Sequence, residues 1–423
     1  MSTESILTSL LPDSAVVDDR GVSIAGVDLR ELAERYGTPL FVYDEVTLRA
    51  RCRETARAFD DGVAFASKSF LCGAMARLAY DEGLCVDVAT GGELDLVLRA
   101  GVPASRIIVH GNNKSDDEIA RSIDVGVHRV VVDNFDEIAR LGERVSSRAP
   151  LNALVRVTPG VEAHTHEYVR TGQEDTKFGF SVASGDARRA ISLLREIDGL
   201  RLHGVHAHIG SQIFEVEGFR ESVATLVEFT REDGFDEMCV GGGLGVAYVE
   251  GESAPSISEW AGAVRDAAAL AGLDPAVRIL AEPGRSIVAQ AGVTVYRVGV
   301  VKPVTHRVYM AVDGGMSDNP RPVLYGSGYE AFDVDHPRAV RPQLVRLVGK
   351  HCESGDVLID EAYLPRETRA GSLVATPVTG AYGYSMASNY NRVPRPSVVF
   401  VSEGRAREVL RRETFDDLAR LEV

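Results

Sequence analysis

Between Val63 and Glu282 the chain repeats one pattern, a short apolar run followed by a longer stretch of helical spacing. The apolar runs are Val63–Ser67, Leu84–Val88, Ile107–His110, Val130–Asp133, Ala153–Val157, Leu202–Ala207, Glu237–Val240 and Arg278–Ala281. The spacing between them predicts helices over 72–81, 92–100, 115–125, 135–145, 185–196, 218–231 and 257–271. Ser115 followed by Asp116, Asp117 and Glu118 gives one of these an acidic first turn, favourable at a helix N-terminus. Strand then helix, eight strands in all, reads as parallel βα units closed into a ring. The expected fold class is therefore α/β, a TIM-like (β/α)8 barrel.

From Ser286 the helical spacing disappears. Ile287–Val301, Val308–Val312, Gln343–Val348, Val357–Ile359, Ser372–Pro377 and Ser397–Val401 read as strands, and residues 15–27 read as a hairpin. The chain is expected to carry a second, mostly β domain (barrel or sandwich) built from residues 1–35 and 286–423, around a barrel of residues 36–285.

A chain of 423 residues, 45% hydrophobic and 26% charged, is of the ordinary globular kind and long enough for two cores. Its net charge of −16 argues against nucleic acid or an anionic membrane as partner. Five scattered cysteines with no Cys-x-x-Cys pair suit a reducing compartment, and the acidic N-terminus lacks the features of a signal peptide. A cytoplasmic location is expected. His164, His166 and Glu167 form a metal-like trio in a polar segment, but no distant ligand matches them, so no metal is expected.

Position makes certain residues informative. In barrels of this kind the active site lies at the C-terminal ends of the strands, with phosphate near the loops after strands seven and eight. Lys68 follows the first apolar run in a stretch without other charge, Gly241-Gly-Gly-Leu-Gly245 follows the seventh, and Glu282-Pro283-Gly284-Arg285 the eighth. A lone lysine at a strand end is ordinarily a solvated side chain, and a lone glycine cluster is ordinarily a turn. Together, however, an amine for a Schiff base, a carboxylate for a pyridinium nitrogen and bare amides for a phosphate call for pyridoxal phosphate. His206 and His208 share one face of their strand by alternation, so one of them should face the barrel mouth, and Ser211 could donate to the phosphate. Farther on, Cys352-Glu353-Ser-Gly-Asp356 is either a plain turn or a presented thiol and carboxylate. Gly380 to Asn391, rich in Gly, Tyr, Ser and Asn, looks like a binding loop, and Arg321 between two prolines suits carboxylate recognition.

With these residues the chain resembles the fold-type III pyridoxal-phosphate decarboxylases, and within them the diaminopimelate branch. The shared motifs run in the family's order from Gly37-Thr-Pro-Leu-Phe-Val-Tyr43 through Asp87–Leu94, His110–Lys114, His208–Gln212, Gly241–Gly245, Glu282–Arg285, Cys352–Ser354 and Gly380–Asn391. The resemblance implies that Lys68 holds the cofactor as a Schiff base, His208 stacks on its ring and Glu282 pairs with the ring nitrogen. It places Asp87, Ser211, Gly242, Gly243, Pro283, Gly284, Arg285 and Tyr382 around the cofactor. It assigns Arg285, Arg321, Tyr325, Glu353 and Tyr382 to the substrate, and Cys352 to reprotonation. It also implies a homodimer with shared active sites, Cys352 and Glu353 reaching across from the neighbouring subunit. The implied reaction removes the carboxylate at the D-centre of meso-diaminopimelate to give L-lysine. The rivals are a decarboxylase of another basic amino acid or carboxylated polyamine, and a catalytically silent cofactor-binding regulator. One departure stands out: Ser69-Phe70 replaces the Ala-Asn of many relatives, which bears on pocket shape rather than chemistry.

Overall fold

The computed structural model describes residues 9–161 and 176–423. The chain divides into two compact units. One comprises Arg51–Gly245 and Ala254–Ser286; the other comprises the described residues up to Ala50, Val246–Ser253 and Ile287–Val423.

The first unit is the barrel. Its strands are β1 (Ala64–Ala66), β2 (Cys85–Val88), β3 (Ile107–Val109), β4 (Arg129–Val132), β5 (Leu151–Thr158), β6 (Leu200–His206), β7 (Glu237–Cys239) and β8 (Arg278–Leu280). All pair in parallel and in sequence order. The ring closes where Ala64 N–H donates to Ala281 O at 3.0 Å and Ala66 N–H to Pro283 O at 3.1 Å. Every predicted helix is present, and two carry reciprocal caps. Ser115 and Glu118 close the first turn of Asp116–Val125, and Ser256 and Glu259 that of Ile257–Ala271. Gly126 and Gly272 end these helices in the left-handed conformation.

The barrel interior is built in layers, and alternation decides what each layer holds. Ala64, Cys85, Ile108, Val131, Leu154, Cys239 and Leu280 form one buried apolar cluster drawn from seven strands. Two residues farther along, toward the C-terminal mouth, the same strands present Ala66, Asp87, His110, Asp133, Arg156, Gly241 and Glu282. β6 adds His206 by the same alternation, two residues after Gly204. A dry layer thus supports a polar one, and the polar one is where chemistry is possible.

In the second unit the strand order is Val357–Leu364, Gln343–Val348, Arg307–Val312, Gly292–Val304, Leu40–Asp44, Ser397–Ser402 and Arg405–Leu410. The 13-residue strand Gly292–Val304 links the two halves, pairing at its start with Leu40–Tyr43 and at its end with Arg307–Val312. Val16–Asp18, Gly21–Ile24 and Val27–Asp28 form a separate three-stranded sheet whose Val22, Ile24 and Val27 share a core with Leu40, Val42, Val293, Val295, Val399 and Val401.

The boundary expected at residue 36 lies elsewhere. Residues 36–50 belong to the β unit because Leu40–Asp44 is fully buried between Gly292–Val304 and Ser397–Ser402. Its apolar sequence reads the same in a barrel as in a mixed sheet, so only its partners distinguish the two. Val246–Ser253 also leaves the barrel for the β unit. The strand expected from Ile287 begins at Gly292, after a helical turn over Arg285–Val288.

Candidate active site

Glu282, just after β8, is buried and meets side chains from the ends of β3 and β6. His110 Nε2 lies 2.9 Å from its Oε1 and His206 Nε2 lies 2.9 Å from its Oε2. A carboxylate only accepts, so both rings present N–H to it. Burial alone would push the Glu282 carboxyl up, but the two imidazoles overcome this and hold it well below the usual carboxylate range. Burial pushes His206 down to about 4, so at neutral pH it donates as a neutral ring. These three residues also have the spacing of metal ligands, but their facing atoms are already spent on one another.

The rest of the polar layer is laid out around this clamp. Asp87 on β2 is pushed up to about 6 by burial, against the pull of the His110 and Lys68 charges. Arg156 on β5 reaches Asp133 on β4 at 3.4 Å and rests over the Phe178 ring at 4.3 Å. Asp133 also accepts from Gly179 N–H at 3.0 Å, tying the segment after β5 to the mouth.

Lys68 follows β1 on the single turn Ser67–Ser69. Its side chain is exposed, while Ser67 and Ser69 on either side are wholly buried. Ser69 Oγ donates to Ala66 O at 2.9 Å and Phe70 is fully buried, so the pair that departs from the usual pattern anchors the lysine's turn. The Lys68 charge is felt at both Asp87 and His208. His208 is half-buried, and burial first, then Lys68, holds it well below the ordinary imidazole value. Gly242 N–H donates to His208 Nδ1 at 3.2 Å. That amide therefore fixes the imidazole, and its expected service to an anion is indirect.

The loops after β6, β7 and β8 approach one another too closely for side chains. A Cβ on Gly242 would lie 2.4 Å from Glu282 O, and one on Gly284 would lie 2.9 Å from Ala66 O. Arg285 Nη2 donates to Ser211 Oγ at 2.9 Å, joining the β8 and β6 loops, and Gln212 beside it holds a left-handed φ of 61°. An exposed amine, a buried ionised carboxylate and a bare-backbone rim carrying arginine and serine are the donor set that pyridoxal phosphate requires, so these residues fit that cofactor. Pro283 acts through its carbonyl, which closes the barrel against Ala66.

In the β unit, Arg321 begins the short helix Arg321–Tyr325 and is 4% exposed. Its Nη1 donates to Tyr329 Oη at 2.6 Å, and its guanidinium lies 4.3 Å from the Tyr248 ring centroid. It has no acidic partner among the described residues, and its Nε has no hydrogen-bond partner there. Tyr325 is half-buried on the same helix. Tyr382, half-buried, holds a left-handed φ of 62° and lies within electrostatic reach of Arg321. Cys352 is exposed while the other four cysteines are buried, and Glu353 beside it is exposed as well. The His164, His166 and Glu167 trio lies outside the described residues.

Sequence reading did not assign His110, Arg156 or the Glu282 partnership of His206. Alternation within the strand could have found His110 and Arg156, because each sits two residues beyond an apolar core position; the partnership joins strands far apart in sequence and carried no such signal. Tyr248 and Tyr329 carried no comparable signal.

A family model described as "Pyridoxal-dependent decarboxylase, pyridoxal binding domain" matches residues 45–289. Diaminopimelate decarboxylase from Mycobacterium bovis is 47% identical over 97% of this chain and 97% of that protein. The Bacillus subtilis protein of the same name is 45% identical over 95% of each. Among solved structures, diaminopimelate decarboxylase from M. jannaschii in co-complex with L-lysine matches with a TM-score of 0.89 and 31% identity, over 97% of this chain and 98% of that one.

The raised Asp87 pKa gives stability a pH dependence. A carboxyl that ionises less readily when folded withholds stability as pH rises from its unfolded value near 4 through about 6. Asp87→Asn removes that loss. In denaturant unfolding of the cofactor-free protein, the variant should gain about 2 kcal/mol relative to wild type between about pH 4.5 and pH 7.5. A difference independent of pH would contradict the assignment.

Proposed function

We propose, from the premise that the chain belongs to the diaminopimelate decarboxylases, a branch of the pyridoxal-dependent decarboxylases, how its own residues divide the reaction. The enzyme decarboxylates diaminopimelate to lysine, the final step of lysine biosynthesis, with pyridoxal phosphate as cofactor. When bound, the cofactor supplies an electron sink for the pair released as carbon dioxide leaves.

Lys68 holds the cofactor through Nζ. Ser211, Gly243, Gly284 and Arg285 take its phosphate, and Gly242 and Asp87 act beside them, Gly242 by fixing His208. His208 would stand against the ring. Glu282, kept ionised by His110 and His206, would hold a proton on the ring nitrogen. Cys352 returns a proton to the carbon that lost its carboxylate. Tyr382 lines cofactor and substrate. Arg285, Arg321, Tyr325 and Glu353 bind the substrate's charged groups, with decarboxylation at the D-centre of the meso compound. The protein works as a cytoplasmic homodimer whose Cys352 and Glu353 serve the neighbouring subunit's site.

One observation carries the substrate assignment: Arg321 is a buried guanidinium without an acidic partner among the described residues. Such a group favours a ligand carboxylate over a bare ammonium. Diaminopimelate offers a carboxylate at its far end; lysine and ornithine offer only the ammonium. Carbon dioxide release should therefore favour diaminopimelate by roughly a thousandfold or more in kcat/KM. Arg321→Ala should remove most of that preference. Comparable turnover of ornithine or lysine by the wild-type enzyme would overturn the assignment.

Site sharing is tested by mixing. Inactive Lys68→Ala and Cys352→Ala variants, exchanged as subunits, should recover up to about a quarter of wild-type activity, the ceiling for random pairing into twofold dimers. No recovery despite demonstrated exchange would place both residues in the same subunit's site.

A further inference from the structure

Cys352 is exposed on a turn, yet the turn itself is held rigidly. Asn391 Oδ1 accepts from Cys352 N–H at 3.1 Å and faces His351 Nδ1 at 3.3 Å. An amide oxygen only accepts, so His351 carries its proton on Nδ1, and Nε2 then accepts from Ser317 Oγ at 2.8 Å. His351 is 8% exposed and lies against the Tyr390 ring. Below it, the buried Asp356 carboxylate accepts from His351 N–H at 2.8 Å and Met316 N–H at 2.6 Å. Ser388 N–H donates to Ser317 O at 2.9 Å. Three loops of the β unit thus meet: the one leading to Arg321, the one bearing Cys352 and Glu353, and the one running from Tyr382 to Arg392.

Within this meeting point Asn391 is the residue whose side chain touches the Cys352 backbone. We propose that Asn391 is a positioning residue for Cys352, fixing where the thiol stands when it delivers its proton. The proposal rests on the assignment of Cys352 as that proton donor. A purely structural reading also exists, because Asn391 holds φ 51° and asparagine tolerates the left-handed region. The two readings separate cleanly. Glycine suits that backbone at least as well but has no acceptor, whereas aspartate keeps both the turn and an oxygen.

The test compares Asn391→Gly, Asn391→Asp and Cys352→Ala in the cofactor-loaded enzyme. Asn391→Gly should keep its cofactor absorbance and melting temperature and hold KM for diaminopimelate within about threefold. Its kcat should fall about tenfold or more, the scale of a lost positioning hydrogen bond. The rate of Cys352 alkylation by iodoacetamide should change with it. Asn391→Asp should restore both kcat and alkylation to within about threefold of wild type. Wild-type kcat in Asn391→Gly, alongside a large loss in Cys352→Ala, would overturn the proposal while leaving the proton-donor assignment intact. A fall in kcat that Asn391→Asp does not rescue, with alkylation unchanged, would also overturn it. Undiminished kcat in Cys352→Ala would remove the proton-donor premise, and the proposal with it.

Discussion

The hydrogen-bonded clamp on Glu282 is the constraint around which the barrel mouth is organised. A carboxylate this deeply buried would ordinarily take up a proton. Two imidazole N–H donors, from β3 and β6, reverse that outcome. They come from β3 and β6, with β4 and β5 between them, while Glu282 follows β8, so the clamp depends on the barrel closing in register. The dry layer beneath, from Ala64 to Leu280, supplies the rigid floor and the low dielectric that make a fixed charge effective. Asp87, in the same layer but without such donors among the described residues, shifts the opposite way. Two carboxylates in one layer thus have their pKa values moved in opposite directions, because only one of them accepts from two imidazoles.

The β unit carries the residues proposed to recognise the substrate and return its proton. Arg321 is buried against Tyr248 and Tyr329 without an acidic partner among the described residues, the observation on which its proposed substrate role rests. The Asp356, His351 and Asn391 network then fixes the loop carrying Cys352 by backbone contacts. The left-handed backbone at Tyr382 and Asn391 occurs in the same loop, where strain is tolerated because neighbouring contacts over-determine it.

Much of this was legible in the sequence because barrel strands are short, apolar and separated by well-capped helices. Period-two alternation, carried one step past the core residues, also points to Asp87, His110, Arg156 and Glu282. What alternation cannot supply is partnership. It marked His206 and His208 as sharing a face, but the clamp on Glu282 and the bond from Gly242 to His208 depend on strands far apart in sequence. For the same reason Leu40–Asp44 was read with the barrel, although its partners are Gly292–Val304 and Ser397–Ser402.

The central claim is that Glu282, held ionised by His110 and His206, keeps a proton on the cofactor's ring nitrogen. Loading the enzyme with pyridoxal phosphate labelled with nitrogen-15 in the ring, and recording its NMR shift, measures that proton directly. The account predicts a protonated ring nitrogen in the wild-type enzyme at neutral pH and an unprotonated one in Glu282→Gln. An unprotonated nitrogen in the wild type, or the same shift in both proteins, would contradict it.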